Sequence, residues 1–378
     1  MSRTSTYDVL KFDWLLLGAC VLLAVFGLSA LYSTSLAGAG SALVSGSSSA
    51  GPDLGNFWKQ LWFVGLGLVL AFALPAFDYR SLSRMSRQVL SISVVLLLLV
   101  LVFGTRIRGT TGWFGIAGFG VQPVELVKLL VIIFLAKYLS DFAGKERGLR
   151  HVIVSGLAVL PVVGLVLLQP DFGSAFLIMG VWGVLVLLSG IRRSHLLLLA
   201  VGVGAVALLA WTLLLKPYQK DRILSFLDPE SDPLGRGYNV TQSIIAIGSG
   251  GLTGKGMGYG SQSQLRFLPE RQTDFIFAVI AEELGYVGVF VLCLMFGVVF
   301  WRGYRLAVRS SDDFSVYLAT GITVSIALEV FVNLGGNLRL MPVTGVTLPF
   351  VSYGGSSLLV KFAMIGLLES MSMKGVRA

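Results

Sequence analysis

Uninterrupted apolar runs dominate this sequence and recur from residue 13 to residue 372. Each run is long enough to cross the roughly 30 Å hydrocarbon core of a bilayer as a helix of about 20 residues. The runs are continuous rather than alternating, which indicates helices, because lipid requires every backbone N–H to be satisfied within the segment. We therefore predict an all-α polytopic membrane protein, a single transmembrane domain over residues 1–378, with about ten helices. The predicted spans are residues 13–34, 57–77, 86–104, 122–142, 151–169, 173–190, 194–215, 275–301, 314–336 and 349–372.

The composition supports a lipid environment and excludes several functional classes. Of the 378 residues, 55% are hydrophobic and 13% are charged, whereas soluble domains carry about 25% charged residues. The net charge of +9 comes from Lys and Arg in short groups between the apolar runs, not from a basic stripe of the kind that binds nucleic acid. Cys20 and Cys293 lie inside apolar runs, while His151 and His195 adjoin basic clusters. We therefore predict neither a disulfide framework nor a His/Cys metal site.

The distribution of Lys and Arg predicts the orientation of the chain. Alternate short connections are rich in these residues and lie at 80–87, 145–150, 192–193 and 302–309. Such connections stay in the cytoplasm, which predicts that both termini are cytoplasmic. The long segment 216–273, between the seventh and eighth spans, is then extracytoplasmic. We expect short interfacial helices around Gly235 to Ile247 within it, because a long loop without structure is uncommon.

Glu125 and Lys128 are ionisable residues inside a predicted span. Such residues cost about 2.5 to 3.5 kcal/mol each on insertion scales, so each needs a partner or a task. The two lie three residues apart on one helical face, close enough to pair. Two readings remain open: a structural ion pair, or a site where Lys128 meets an anionic head group.

Asp171 lies in the sequence Gln-Pro-Asp between two predicted spans, at a short outer connection. An aspartate at this place fits a helix N-cap as well as it fits a catalytic carboxylate.

A glycine-rich segment, residues 248–260, contains seven glycines in thirteen residues, with Lys255 among them. Such a backbone can approach a ligand closely and offer N–H groups to an anion. A nucleotide P-loop is excluded, because Ser249 and Gly256 stand where that motif requires Gly and Ser or Thr. A hinge without a ligand is the alternative.

Asp274 stands where the long polar segment meets the next apolar run, close in sequence to Arg271 and Lys255. It could cap the helix beside Thr273, or act as a general base on a sugar hydroxyl at the membrane surface.

The segment 342–357 interrupts the last outer connection with Pro, Gly and hydroxyl residues, Ser356 among them. Polar, non-helical backbone at membrane depth is tolerated only where it lines a cavity or is buried in protein.

At these residues the chain resembles the SEDS family, the shape, elongation, division and sporulation proteins, over nearly its whole length. Within that family, residues 260–269 and 342–345 are more similar to the elongation branch than to the division branch. The matching stretches occur in the family's order, and they are residues 122–128, 169–171, 249–256, 268–283 and 348–357.

The resemblance implies a bacterial inner-membrane peptidoglycan glycosyltransferase that uses lipid II, releases undecaprenyl diphosphate and requires a class B penicillin-binding protein as partner. It implies that Asp274 is the catalytic aspartate, that Glu125 and Lys128 are the family's paired residues, and that Asp171 is a further acidic site. The chain departs from the family at Gly112, where many members have Arg, and at Val124, where Ser is usual. The cation role at position 112 then passes to Arg106 or Arg108, or is absent.

The predicted mechanism places the active site at the extracytoplasmic end of the bundle. The tail of the lipid substrate lies along a groove that faces the membrane lipids. No cofactor is required by the sequence; Mg²⁺ or another divalent cation, or cationic side chains, would stabilise the diphosphate leaving group. Two other classes stay open: a transporter that flips lipid II, and a scaffold without activity. With Asp274 as the catalytic residue, the predicted substrate-binding residues are Glu125, Lys128, Asp171, Lys255, Arg271, Trp113 and Ser356.

Overall fold

The computed structural model describes residues 12–45, 53–107, 110–116, 119–142, 149–191, 236–265 and 267–374, with a few isolated residues between 195 and 226. Most of these residues are helical, and one small antiparallel sheet follows the fourth helix. The helices are α1 (Trp14–Ser45), α2 (Gly55–Ala73), α3 (Ser81–Arg84), α4 (Ser86–Phe103), α5 (Pro123–Asp141), α6 (Leu149–Leu168), α7 (Phe172–Leu188), α8 (Arg236–Ser249), α9 (Ser261–Gln264), α10 (Ile276–Arg309), α11 (Asp313–Asn337) and α12 (Gly355–Lys374). The strands are β1 (Thr105–Ile107), β2 (Thr110–Ile116) and β3 (Phe119–Val121).

The predicted polytopic fold is confirmed. Within the described residues, seven helices are long and apolar enough to cross a membrane, and α7 is a shorter apolar helix. Helix α5 has 19 residues and also coincides with a predicted span, although it carries four charged side chains. The predicted span 194–215 lies outside the described residues except for three isolated positions, so the count of about ten is not tested. Helix α8 matches the short helix expected near Gly235 to Ile247.

Polar contacts define one end of the bundle, which we call the arginine end. There Arg302 Nε lies 2.5 Å from Asp13 Oδ2, and the Asp13 backbone N–H donates to Glu369 across 2.8 Å. Arg80 lies 3.9 Å from Asp312 and also donates to a carbonyl at the end of α12. The first described residues, the last ones and two of the basic connections therefore lie at the same end of the bundle. Which side of the membrane this end faces stays a prediction.

Four buried charges join α5, α11 and α12, and we call them the charged quartet. Lys128 Nζ lies 2.9 Å from Glu125 and 2.6 Å from Glu329. Lys361 Nζ lies 3.2 Å from Glu125 and 2.8 Å from Glu329. Each ammonium therefore contacts both carboxylates, and the group is neutral as a whole. This balance makes the charges tolerable in a low-dielectric interior, because a buried charge without a partner is strongly destabilising.

Helix α10 is interrupted at Gly285, whose φ of 66° is outside the helical region. The interruption takes backbone groups out of the helical ladder, and the glycine-rich segment supplies their partners. The N–H groups of Lys255 and Gly256 donate to the carbonyls of Glu282 and Glu283, each across 3.0 Å. In return, the N–H groups of Tyr286 and Val287 donate to carbonyls of residues 251 and 252. The segment is thus a packed partner of the kink, which satisfies the rule that backbone at membrane depth is paired.

The small sheet between α4 and α5 was not predicted; it lies in the connection between the predicted spans 86–104 and 122–142. Strand β2 is central and pairs with both neighbours, with Thr105 opposite Trp113 and Phe114 opposite Val121. Threonine and aromatic residues favour strands, but the strands are short and glycines break the alternation. The sheet places Trp113 at the edge of a cavity at this end of the bundle.

Replacing Lys361 with Met should lower the stability of the folded protein. The change leaves two buried carboxylates facing a single ammonium, which costs about 3–5 kcal/mol. The variant in which Glu329 is also replaced by Met keeps the neutral pair of Glu125 and Lys128 and should recover most of the loss. The measurement is the thermal unfolding midpoint in detergent. A single variant as stable as the double variant would contradict a balanced quartet.

Replacing Gly254 with Ala should destabilise the protein more than replacing Gly251 with Ala. Both glycines have positive φ, 79° and 56°, so both changes carry a backbone cost of about 1–2 kcal/mol. A Cβ at Gly254 would lie 2.1 Å from the carbonyl oxygen of Glu283, whereas a Cβ at Gly251 meets nothing within 4 Å. The collision should add about 1–3 kcal/mol. Equal unfolding midpoints for the two variants would show that the close approach is unimportant.

Candidate active site

A cavity of about 290 Å³ lies at the end of the bundle opposite the arginine end. It is bounded by β2, by the first turns of α5, α7 and α12, by α8, by the residues before α10, and by the segment 343–347. The described residues that line it include Thr110, Trp113, Gln122, Glu125, Lys128, Asp171, Ser174, Asn239, Glu270, Thr273, Asp274, Thr344, Gly345, Thr347, Tyr353, Ser356 and Ser357.

Six of the eight residues singled out from the sequence line this one cavity, although they come from distant parts of the chain. They are Trp113, Glu125, Lys128, Asp171, Asp274 and Ser356. Lys255 and Arg271 are described but are not among the lining residues. The substrate roles of all eight stay predictions, but the convergence of six supports a common site.

Asp274 is half-buried and lies two residues before the first helical residue of α10. Phe275 occupies the N-cap position, and no side-chain hydrogen bond is made there. Asp274 therefore does not occupy the N-cap position that was its alternative role. Its carboxylate faces the segment 343–347, because a Cβ on Gly345 would lie 3.9 Å from Asp274 Oδ2. A group in this position can take a proton from a ligand in the cavity.

The residues immediately before Asp274 are held by several helices. Gln272 donates to Thr34 Oγ1 in α1 across 3.2 Å and accepts a hydrogen bond of 2.7 Å from Asn56 in α2. The Thr273 carbonyl accepts a hydrogen bond of 2.6 Å from Ser352, just before α12. Because three separate elements contact consecutive residues, the approach to Asp274 is fixed by packing.

The two predicted loop cations have partners within the protein. Arg271 donates to the backbone carbonyls of Ser263 and Thr34. Lys255 Nζ lies 3.1 Å from the fully buried Glu282 carboxylate, which also accepts backbone N–H groups from α9. Both cations thus connect the glycine-rich segment and its surroundings to the bundle.

Asp171 is the N-cap of α7, so this reading of it is confirmed. Its carboxylate accepts hydrogen bonds from the Ser174 backbone N–H at 2.9 Å and the Ser174 hydroxyl at 2.7 Å, and from Gln122 at 3.3 Å. Burial raises the pKa of the Asp171 carboxyl above its ordinary value, and the hydrogen bonds from Ser174 oppose that rise. The same carboxylate lines the cavity, so capping does not exclude contact with a ligand.

The ionisable lining of the cavity is mainly acidic. Among the described lining residues the acids are Glu125, Asp171, Glu270 and Asp274, and the base is Lys128. The Lys128 ammonium is already paired with two carboxylates of the charged quartet, which favours the structural reading of the Glu125–Lys128 pair. A phosphate group would need positive charge from outside this lining. The described residues include no group of three His, Cys, Asp or Glu placed to hold a metal ion, so the divalent cation stays a hypothesis.

Sequence reasoning missed several residues that line the cavity or belong to the charged quartet. Glu329 and Lys361 complete the charged quartet, and both satisfy the rule that flagged Glu125, namely an ionisable residue inside an apolar helix. Glu270 and Asn239 line the cavity from polar segments, where no pattern distinguishes them from ordinary loop residues. Arg106 is exposed on β1, and Arg108 lies outside the described residues.

Comparison with known proteins gives consistent matches. The family model described as "Cell cycle protein", which covers FtsW, RodA and SpoVE, matches residues 13–376. Stage V sporulation protein E of Bacillus subtilis is 38% identical over 317 residues, covering 83% of this chain and 86% of that protein. The peptidoglycan glycosyltransferase MrdB of Escherichia coli is 39% identical over 325 residues, covering 86% of this chain and 87% of that one. The probable peptidoglycan glycosyltransferase FtsW of Trichlorobacter lovleyi is 35% identical over 370 residues, covering 97% and 94%.

Solved structures agree with the sequence matches. A chain of a peptidoglycan synthase complex that coordinates polymerization and crosslinking has a TM-score of 0.77 and 37% identity, covering 96% of this chain and 97% of that one. The rod shape determining protein RodA of Thermus thermophilus has a TM-score of 0.69 and 31% identity, covering 97% and 98%. The chain therefore belongs to the family of FtsW, RodA and SpoVE, the SEDS family that its sequence motifs resemble.

Proposed function

We propose that this chain polymerises the glycan strands of peptidoglycan from lipid II, with Asp274 as the general base. The observation that carries the proposal is the position of the Asp274 carboxylate in a cavity shared with Asp171 and the Glu125–Lys128 pair. The names of the relatives as peptidoglycan glycosyltransferases support the same reaction class.

In the proposed reaction, Asp274 removes the proton of the 4-hydroxyl group of the acceptor's N-acetylglucosamine. The resulting oxygen nucleophile attacks the anomeric carbon of the donor, the bond to the diphosphate breaks, and the α linkage is inverted to β. Undecaprenyl diphosphate leaves with the bonding electrons. A second carboxylic acid is not required, because a diphosphate leaves with less protonation than a sugar hydroxyl.

The acidic lining suits the uncharged sugars better than the diphosphate. Hydroxyl and amide groups of a saccharide can donate to Asp171, Asp274 and Glu270, whereas a diphosphate would be repelled by them. We therefore place the diphosphate at the rim of the cavity. There its charge would be balanced by basic side chains of the segment 216–273 or by a divalent cation.

We also propose a location in the membrane and a partner protein for this chain. We place the cavity on the extracytoplasmic side and both termini in the cytoplasm, since basic connections stay inside and the connections at 80–87 and 302–309 lie at the opposite end from the cavity. We propose a class B penicillin-binding protein as partner, because a matching chain comes from a complex that couples polymerization to crosslinking.

Within the family we propose a role in cell elongation and shape. The proposal rests on residues 260–269 and 342–345, which resemble the elongation branch. Stage V sporulation protein E, MrdB and FtsW have similar identities of 38%, 39% and 35% to this chain, so overall similarity does not decide the cellular role.

Replacing Asp274 with Asn or Ala should abolish glycan polymer formation by the purified chain and its partner, because no base would remain to activate the acceptor hydroxyl. The assay uses lipid II in detergent, where transport across a bilayer cannot contribute. Asp312 at the arginine end is a matched control: it caps α11, and Asn is an equally good cap. Replacing Asp312 with Asn should leave the polymer yield unchanged. Wild-type yield from the folded Asp274 variants would remove Asp274 as the base.

Absence of polymer from the wild-type complex under the same conditions would contradict the enzyme itself. Lipid II flipping by that chain in sealed vesicles would then favour the transporter.

Expression of this chain should restore rod shape in bacteria depleted of their own elongation polymerase. It should not restore septation in bacteria depleted of their division polymerase, if the residues that resemble the elongation branch decide the role. Cell length and width under the microscope are the measurements, with the Asp274→Ala variant as the inactive control. Rescue of septation alone would overturn the elongation role.

A further inference from the structure

Helix α11 carries a buried polar stripe that ends beside Asp274. Glu329, Asn333 and Asn337 follow one another at intervals of four residues and are 1%, 4% and 2% exposed. Residues at this spacing lie on neighbouring turns of one helical face. Glu329 belongs to the charged quartet, but the two asparagines do not. A buried amide costs free energy unless it is hydrogen-bonded, so their partners indicate what the amides do.

Both amides donate to the backbone of Asp274. Asn337 Nδ2 lies 2.8 Å from the Asp274 carbonyl oxygen, and Asn333 Nδ2 lies 3.1 Å from the same atom. The oxygen of each amide cannot take this place, because it would face a carbonyl oxygen. Ser243 of α8 donates towards Asn337 Oδ1 at 3.4 Å and to its backbone carbonyl at 3.0 Å, which fixes the Asn337 side chain in this orientation.

Asn333 also fixes the wall that faces the carboxylate. Its Nδ2 atom donates to the Val346 carbonyl across 2.8 Å, so one amide group contacts both sides of the cavity. The neighbouring Gly345 is the residue whose Cβ would lie 3.9 Å from Asp274 Oδ2. The Asn333 side chain therefore links the backbone of the proposed base to the segment 343–347 directly.

The carbonyl of Asp274 lies just outside the helical ladder of α10. The Phe275 carbonyl, one residue later, accepts the Val279 N–H of that helix across 3.2 Å. The two asparagines thus supply hydrogen bonds to a carbonyl that has none from α10. The N–H of the peptide group that joins Asp274 to Phe275 donates to the Glu270 carbonyl across 3.3 Å, and the two asparagines hold the carbonyl of the same group.

We propose that Asn333 and Asn337 are positioning residues for catalysis, and we call them the amide clamp. This inference rests on the proposed function, because it assigns the clamp the task of aiming the Asp274 carboxylate at the acceptor hydroxyl. The clamp does not touch the reacting atoms. It should therefore control the rate of the chemical step more than the binding of lipid II.

The test replaces Asn333 or Asn337 with Leu, which has the same branching and no donor, in the purified complex with the partner. Steady-state kcat and KM for lipid II are measured, together with the thermal unfolding midpoint. We expect kcat to fall about tenfold to a hundredfold, as for a misplacement of about 1 Å, with KM within about twofold. The Ala variants, which leave room for a water molecule, are the second pair if Leu prevents folding.

Replacing Ser325 with Ala is the matched control. Ser325 is buried on the same helix four residues before Glu329, and its hydroxyl has no hydrogen-bond partner among the described residues. Wild-type kcat is expected from this variant, whereas a loss equal to that of the clamp variants would show that any polar truncation in α11 is damaging. Folded clamp variants with wild-type kcat, or with a raised KM and unchanged kcat, would overturn the inference. An Asp274→Asn variant as active as wild type would instead overturn the proposed function on which the inference rests.

Discussion

Lipid offers no hydrogen bonds, and this constraint explains how the cavity end of the bundle is built. At two places where the described chain leaves the helical hydrogen-bond pattern there, another part of the protein supplies partners. The kink at Gly285 is paired with the glycine-rich segment. The turn before α12 is held by Gln60 of α2, which donates to the Ser352 carbonyl and accepts from the Gly354 N–H. Non-helical backbone at these two places is thus compatible with a lipid environment, because its polar groups are hydrogen-bonded within the protein.

These partners also decide where the reactive groups lie. The residues before Asp274 contact α1, α2 and the start of α12, and Asp274 itself contacts α11. Asp171 is positioned by its role as a helix cap. Both carboxylates are therefore placed by the fold before any substrate binds. Such preorganisation is what electrostatic and general-base catalysis require, because the enzyme then needs little rearrangement during the reaction.

Much of the architecture was predictable because hydropathy is a local property. Apolar runs located the helices, and the rule that charges inside spans need a reason selected Glu125 and Lys128. Asp274 was singled out because it stands where the polar segment meets the next apolar run. The partners of these residues were less accessible, since Lys361 contacts Glu125 across 236 positions in the sequence. The pairing of the glycine-rich segment with α10 depends on a kink, and nothing in the apolar run around Gly285 distinguishes a kink from a straight helix. The small sheet was missed because glycines obscure the alternation of β2.

The roles of Asn333 and Asn337 could not be predicted from the sequence, for a different reason. An asparagine in an apolar helix could face a neighbouring helix, a water molecule or its own backbone, and the sequence does not distinguish these cases. Their contact with Asp274 depends on how α10 and α11 pack together. Long-range polar contacts of this kind are fixed by tertiary structure, so they become visible only with the fold.

The charged quartet constrains how this sequence can diverge. Its two lysines and two glutamates share partners, so each carboxylate contacts both ammonium groups. Losing one member leaves an excess charge inside the bilayer, whereas losing one of each sign keeps the interior neutral. A change at one of the four positions therefore needs a change of the opposite sign at another, on the same helix or on one of the other two.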